Sequence, residues 1–123
     1  MSKTAALRKL VRKQMQNVQG GTYHKFAPSD AVYPYKTFEL KSVSFTEARD
    51  DFDLDVDIWH RGDWKVAEEI ADQIEKIFQN ANLPQSTILP TFFRESRYNL
   101  EDPDKTLQHI QLRFSVQLYE LEE

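Results

Sequence analysis

From Asp51 to His60 the chain alternates acid and hydrophobe almost without a break: Asp-Phe-Asp-Leu-Asp-Val-Asp-Ile-Trp-His. Successive strand side chains point to opposite faces. The pattern therefore predicts a strand that buries Phe52, Leu54, Val56 and Ile58 and gathers Asp51, Asp53, Asp55 and Asp57 on the other face, about 7 Å apart. Arg61-Gly62-Asp63 interrupts it, and the period then becomes helical. Val66, Ala67, Ile70, Ala71, Ile74, Ile77 and Phe78 share one arc, opposite Lys65, Glu68, Glu69, Asp72, Glu75 and Lys76. Asp63 is placed to cap this helix, and Asp72 to pair with Lys76 one turn on.

Upstream, Leu7, Leu10, Val11, Met15 and Val18 form one stripe of a helix predicted from Thr4 to Val18, ended by Gly20-Gly21. Thr22 to Phe26 reads as a short strand closed by Pro28 and Ser29-Asp30. Tyr35 to Phe45, rich in Phe, Val and Thr, reads as a longer one. Glu47 to Asp50 turns it into the acidic strand, so these two predict an antiparallel hairpin. Asn80 to Pro84 stops the second helix. Two further strands follow, Ile88 to Leu100 and Thr106 to Glu120, joined by the turn-forming segment Glu101 to Lys105. In the last strand Ile110, Leu112, Phe114, Val116 and Leu118 alternate with Gln111, Arg113, Ser115, Gln117 and Tyr119, which gives one buried face and one wet face. This order predicts an α+β fold: a twisted, mainly antiparallel sheet with both helices packed on its apolar face. A length of 123 residues, with no repeat or linker, predicts one domain over 1–123.

Composition narrows the chemistry. There is no cysteine, so disulfides and thiolates are excluded, and His24, His60 and His109 stand alone without metal-ligand spacing. No cofactor or metal is expected. No apolar run is long enough to span a bilayer, so no membrane partner is expected. Met1 to Val18 mixes Lys and Arg with Leu and Val, unlike a secretory signal, and cytosolic synthesis is the default expectation. The net charge is −4, yet residues 1–25 hold six cations (Lys3, Arg8, Lys9, Arg12, Lys13 and Lys25) and no acid. Ten of the sixteen cations are left to face all twenty carboxylates, so the molecule is electrically two-ended. That asymmetry fits self-stacking, positive end to negative face, as well as it fits a plain solvated surface.

The four-Asp row is the first candidate for chemistry. Carboxylates on alternate strand positions diverge instead of converging on a cation, and no glycine-bearing calcium loop is present. The row is expected to be an intersubunit face, or simply solvated, and neighbouring carboxylates would repel by about 0.6 kcal/mol per pair in water if left unpaired. Trp59 points to the same face, either folding over the strand end against Trp64 or anchoring an interface. His60 follows the inward register of Ile58 and is expected to be a strand-end histidine with a satisfied ring. No nucleophile elbow or phosphate-cradling glycine loop occurs. The cations Arg8, Lys9, Arg12 and Lys13 form the candidate basic partner face. They also carry the alternative reading, a nucleic-acid-binding accessory protein, although the rest of the chain would repel DNA.

Several segments in order carry a family resemblance: the basic amphipathic helix, then Gly21-Thr-Tyr-His-Lys-Phe-Ala-Pro28, Tyr33-Pro-Tyr35, Asp55-Val-Asp-Ile-Trp-His-Arg61, Ala67-Glu-Glu-Ile-Ala-Asp-Gln-Ile74 and Asp102-Pro-Asp-Lys-Thr-Leu-Gln-His-Ile-Gln-Leu-Arg-Phe-Ser115. Over nearly the whole chain this resembles the tail-completion, or tail-terminator, proteins of tailed bacteriophages and prophages. The resemblance implies a structural protein and not an enzyme. Such a subunit is made in the bacterial cytoplasm and forms a homo-hexameric ring at the head-proximal end of the tail tube. Its implied partners are other copies of itself, the tail tube protein and the head-tail connector, with DNA only passing through the ring. The density of Asp in the central strand matches no signature of that family, but in the ring that the resemblance implies, Asp51, Asp53, Asp55, Asp57 and Trp59 would face the lumen or a subunit interface.

Overall fold

The computed structural model describes residues 2–85 and 87–120. Helix α1 spans Lys3–Met15, and its N-terminus is capped by Ser2, whose Oγ accepts from the Ala5 amide at 3.3 Å. Arg12 and Lys13 in the last turn complement the negative end of the helix dipole. The α-helix ends at Met15, earlier than the stripe predicts. Val18 is nonetheless buried, because a non-helical turn carries it back onto the core. Gly20 completes that turn at φ +97°, and a Cβ there would come within 2.7 Å of the Pro34 carbonyl oxygen, so glycine is required twice over.

Strand β1 is Gly21–His24, β2 is Tyr35–Phe45 and β3 is Arg49–Arg61. Helix α2 covers Trp64–Phe78, β4 is Ala81–Asn82, β5 is Ile88–Leu100 and β6 is Leu107–Glu120. They form a six-stranded sheet in the order β1-β2-β3-β6-β5-β4, antiparallel throughout except for the parallel β1-β2 pair. The first strand is shorter than expected, because the chain leaves the sheet at Lys25, whose φ is +68°. β4, two residues paired with Thr91 and Phe92, lies inside the segment that reads only as a stop signal.

The two strongest periodic patterns meet at the centre. Phe52, Leu54, Val56 and Ile58 of β3 stand directly opposite Val116, Phe114, Leu112 and Ile110 of β6, all inward and buried. The apolar arc of α2 (Ala67, Ile70, Ala71, Ile74 and Phe78) and Leu7, Val11 and Met15 of α1 close one core over that face. Phe78 packs against Phe92 and Phe114 at centroid distances of 4.8 and 5.6 Å. Asp63 caps α2 as expected, its Oδ1 accepting from the Lys65 amide at 2.9 Å.

Two expectations about α2 fail for one reason. Glu75 is buried instead of solvated, and Asp72 pairs with Arg97 at 2.7 Å instead of with Lys76. Both carboxylates are drawn to the underside of β5, where Arg94 and Arg97 reach Glu75, the latter at 2.6 Å. Cations presented at short range by a neighbouring strand outcompete a flexible pair along the helix surface.

Candidate functional site

The alternation of β3 sets the four aspartates and Trp59 on the polar face of the sheet, as the sequence predicts, but they do not form a bare acidic row. Asp55 is 6% exposed and sits between Arg113 of β6 and Lys41 of β2, with Arg113 Nε at 2.7 Å and Lys41 Nζ at 3.1 Å. Asp51 pairs with Arg49 at 2.9 Å and accepts from Ser44 Oγ at 3.1 Å. Asp57 lies 2.6 Å from His109 Nε2 and accepts from Gln111 Nε2 at 3.3 Å. Of the four, only Asp53 makes neither an ion pair nor a side-chain hydrogen bond among the described residues. The mutual repulsion expected of the row is thus offset within the chain by Arg113 and Lys41 from the flanking strands and by Arg49 of β3 itself. Burial pushes the Asp55 carboxyl up, but hydrogen bonds from Arg113 and Lys41, with their charges, outweigh it and hold the group below the usual carboxylate range.

Trp59 does not fold against Trp64. It lies flat on His109, with centroids 3.6 Å apart and planes 17° apart, and its other neighbour is Tyr35 at 6.4 Å. Tyr35 in turn contacts Tyr33 and Tyr23 at 5.4 and 6.1 Å, and the Arg61 guanidinium lies over the Tyr33 ring. Strand register makes this row, since Tyr35 is opposite Trp59 and Trp59 opposite His109. The result is a half-buried aromatic band across the polar face at the end away from the β2-β3 turn. Neighbouring His60 is inward-facing as expected, but its Nδ1 is buried without a hydrogen-bond partner among the described residues, so its ring is not fully satisfied.

The basic face is real and separate. Arg8, Lys9, Arg12 and Lys13 are all exposed on α1, and none of them makes an ion pair among the described residues. Lys3, at the start of the helix, is instead bound to Asp50 at 2.7 Å. The patch continues to the end of β1. Burial lowers the basicity of His24 there, and the charges of Arg8, Lys25 and Arg12 lower it further.

Sequence reasoning missed Lys36. It is fully buried on the inward side of β2, and its Nζ donates to the carbonyls of Val18, Gln19 and Gly20 at 3.1, 3.0 and 2.7 Å. Burial lowers its pKa to about 8. The ammonium pins the turn after α1 to the sheet and gives three of that turn's carbonyls a hydrogen-bond partner. A signal was present, since Lys36 shares the inward alternation of Phe38. No group of three or more potential metal ligands occurs among the described residues, and no described helix is long and apolar enough to cross a membrane.

The described residues thus present a polar face of paired charges, an aromatic band and, apart from these, a basic helix face. Comparison with known proteins agrees with that character. The family model described as tail completion protein gp17 matches residues 4–119. The chain belongs to the tail completion protein gp17 family. Members of that family are structural proteins of the phage tail, so the tail completion fold seen here belongs in the virion. Among solved structures, a chain from the "Virion of native gene transfer agent (GTA) particle" superposes with a TM-score of 0.72. Its identity is 12%, over 89% of this chain and 91% of that one, so this likeness speaks to the fold. No protein of curated function matches the sequence. As a tail completion protein the chain works among other tail or head proteins.

Proposed function

We propose that this tail completion protein forms a homo-hexameric ring at the head-proximal end of the tail tube, where it ends tube polymerisation and joins the tail to the head connector. The observation that carries the reading is the family match over residues 4–119. The electrostatics support it. A chain with four cations of its first helix unpaired among the described residues and an excess of acid elsewhere is built to place unlike surfaces of neighbouring copies together. The whole chain acts as one domain and carries out no turnover chemistry.

Within the ring, Asp51, Asp53, Asp55, Asp57 and Trp59 face the lumen or a neighbouring subunit. Arg113 and Lys41 leave that face mixed in charge, so it neither grips nor strongly repels passing DNA. Arg8, Lys9, Arg12 and Lys13 form the partner face, toward the tail tube protein, the connector or a second copy. A second reading, direct nucleic-acid binding through α1, draws on the same four exposed cations. Polymerisation of the cognate tail tube protein separates the readings. Added at substoichiometric amounts, the protein should shorten the tubes. Unchanged tube lengths together with salt-dependent retention of DNA would favour the nucleic-acid reading.

A further inference from the structure

The sheet has two unfinished edges. β1 lies beside β2 only over Tyr35–Phe38, so from Glu39 to Phe45 no described strand flanks the outer side of β2. β4 lies beside β5 only at Thr91 and Phe92, which leaves the outer side of β5 open from Phe93 to Leu100. An unpaired edge presents a row of amides and carbonyls that fits another strand.

Exposed apolar side chains concentrate on these same segments. Val43 and Phe45 on β2 are 60% and 81% exposed, and Phe93 and Tyr98 on β5 are 36% and 57% exposed. They are four of the seven large hydrophobic residues left exposed among the described residues. Two unrelated properties, open backbone and exposed apolar surface, thus fall on the same two stretches. Each stretch also carries one bulge, between Ser42 and Ser44 and between Arg94 and Ser96, which bends the edge and restricts pairing to a short run.

Building on the ring reading, we propose that the open edge of β2 in one copy pairs with the open edge of β5 in the next, so that the sheet continues from subunit to subunit. The occupant is a second copy because the two edges are of similar length and lie on opposite sides of one sheet. A foreign strand would complete one and leave the other exposed. A β2-to-β5 contact joins two different surfaces, and such a contact repeats head to tail until it closes. Both helices lie on the apolar face, so the continued sheet turns its Asp55-Arg113 face the same way in every subunit.

The chain has no cysteine, which makes the test direct. Val43→Cys and Tyr98→Cys variants, both at exposed positions, would be assembled on cognate tail tubes singly, mixed, and as the double variant, then treated with a short bis-maleimide. Phe45→Cys with Phe93→Cys serves as a second pair if the first does not fold. The proposal expects cross-links only between unlike variants in the mixture, and a ladder ending in a closed species for the double variant. Rings seen by electron microscopy without cross-links in either pair would overturn the edge pairing and leave the ring standing. Self-linking of one single variant would show a two-fold contact and also overturn it. A wild-type chain that neither oligomerises nor caps tubes would remove the ring reading and this proposal together.

Discussion

Asp55 and Arg113 stand opposite one another on the two central strands, with Arg113 Nε and Nη2 at 2.7 and 3.3 Å from the two carboxylate oxygens of an aspartate that is 6% exposed. This pair, with Lys41 completing the contact, offsets part of the repulsion along the strand face. Because the carboxylate is buried and half of the arginine is wet, removing the arginine should cost more than removing both groups.

Arg113→Met should therefore destabilise the fold by about 1.5–3 kcal/mol, the range for hydrogen bonds to a charged group. The Asp55→Asn/Arg113→Met double variant should recover part of that loss. Urea unfolding of all four members of the cycle measures the coupling. The pH dependence has a definite sign. The folded carboxyl titrates below its unfolded value of about 3.9, so its contribution is fully present above that pH and is lost as pH falls through the folded value. Asp55→Asn should flatten this part of the acid limb, and an unchanged acid limb would show that Asp55 does not contribute to it.

Ile74 has no exposed surface and lies in the core beneath the sheet. Ile74→Ala should cost about 2–5 kcal/mol. Ala67→Glu, which puts an unpaired charge at an equally buried position, should be at least as damaging. Thermal melts in which both variants follow the parent would contradict the helix packing.

Lys36 makes an alkaline prediction of the same sign. Its pKa falls from 10.5 to about 8 on burial, so between those values the unfolded chain holds the proton that the folded chain has released. Stability should then rise with pH across that window, relative to a Lys36→Met variant without the titrating group. Parallel denaturation curves at pH 7.5, 9 and 10.5 would show the parent's margin over the variant widening. A constant margin would mean that the buried amine titrates as it does in water.

Asp53 isolates the role of the polar face, because it has no described ion-pair partner to lose. Replacing Asp53, Asp55 and Asp57 together with Asn should unsettle the fold itself. Asp53→Asn alone should stay within about 0.5 kcal/mol of the parent. Asp53→Arg should leave rings intact but slow DNA passage if the face lines the lumen, whereas failed assembly that parent protein reproduces at high salt would place it at an interface. Unchanged assembly and infectivity would leave the face merely solvated.

The elements with a clean period were legible to the residue or nearly so. Helix α2 runs Trp64–Phe78 as the arc indicates, and β5 and β6 lie where alternation and turn residues place them. Pairings between distant side chains were not legible. Asp55 and Arg113 are 58 positions apart, and only strand register brings them together. The same register seats Trp59 on His109 instead of on nearby Trp64. The burial of Glu75 depends on two arginines from another strand, and β4 is too short to show any period. The fold was therefore readable from local pattern, whereas the character of the polar face depended on which strands became neighbours.

Electron microscopy of the protein incubated with cognate tail tubes tests the central claim most directly. The account predicts a ring of subunits seated on one end of each tube, the end that meets the head, with no further tube growth beyond it. Tubes whose ends remain bare and continue to lengthen in excess protein would contradict it.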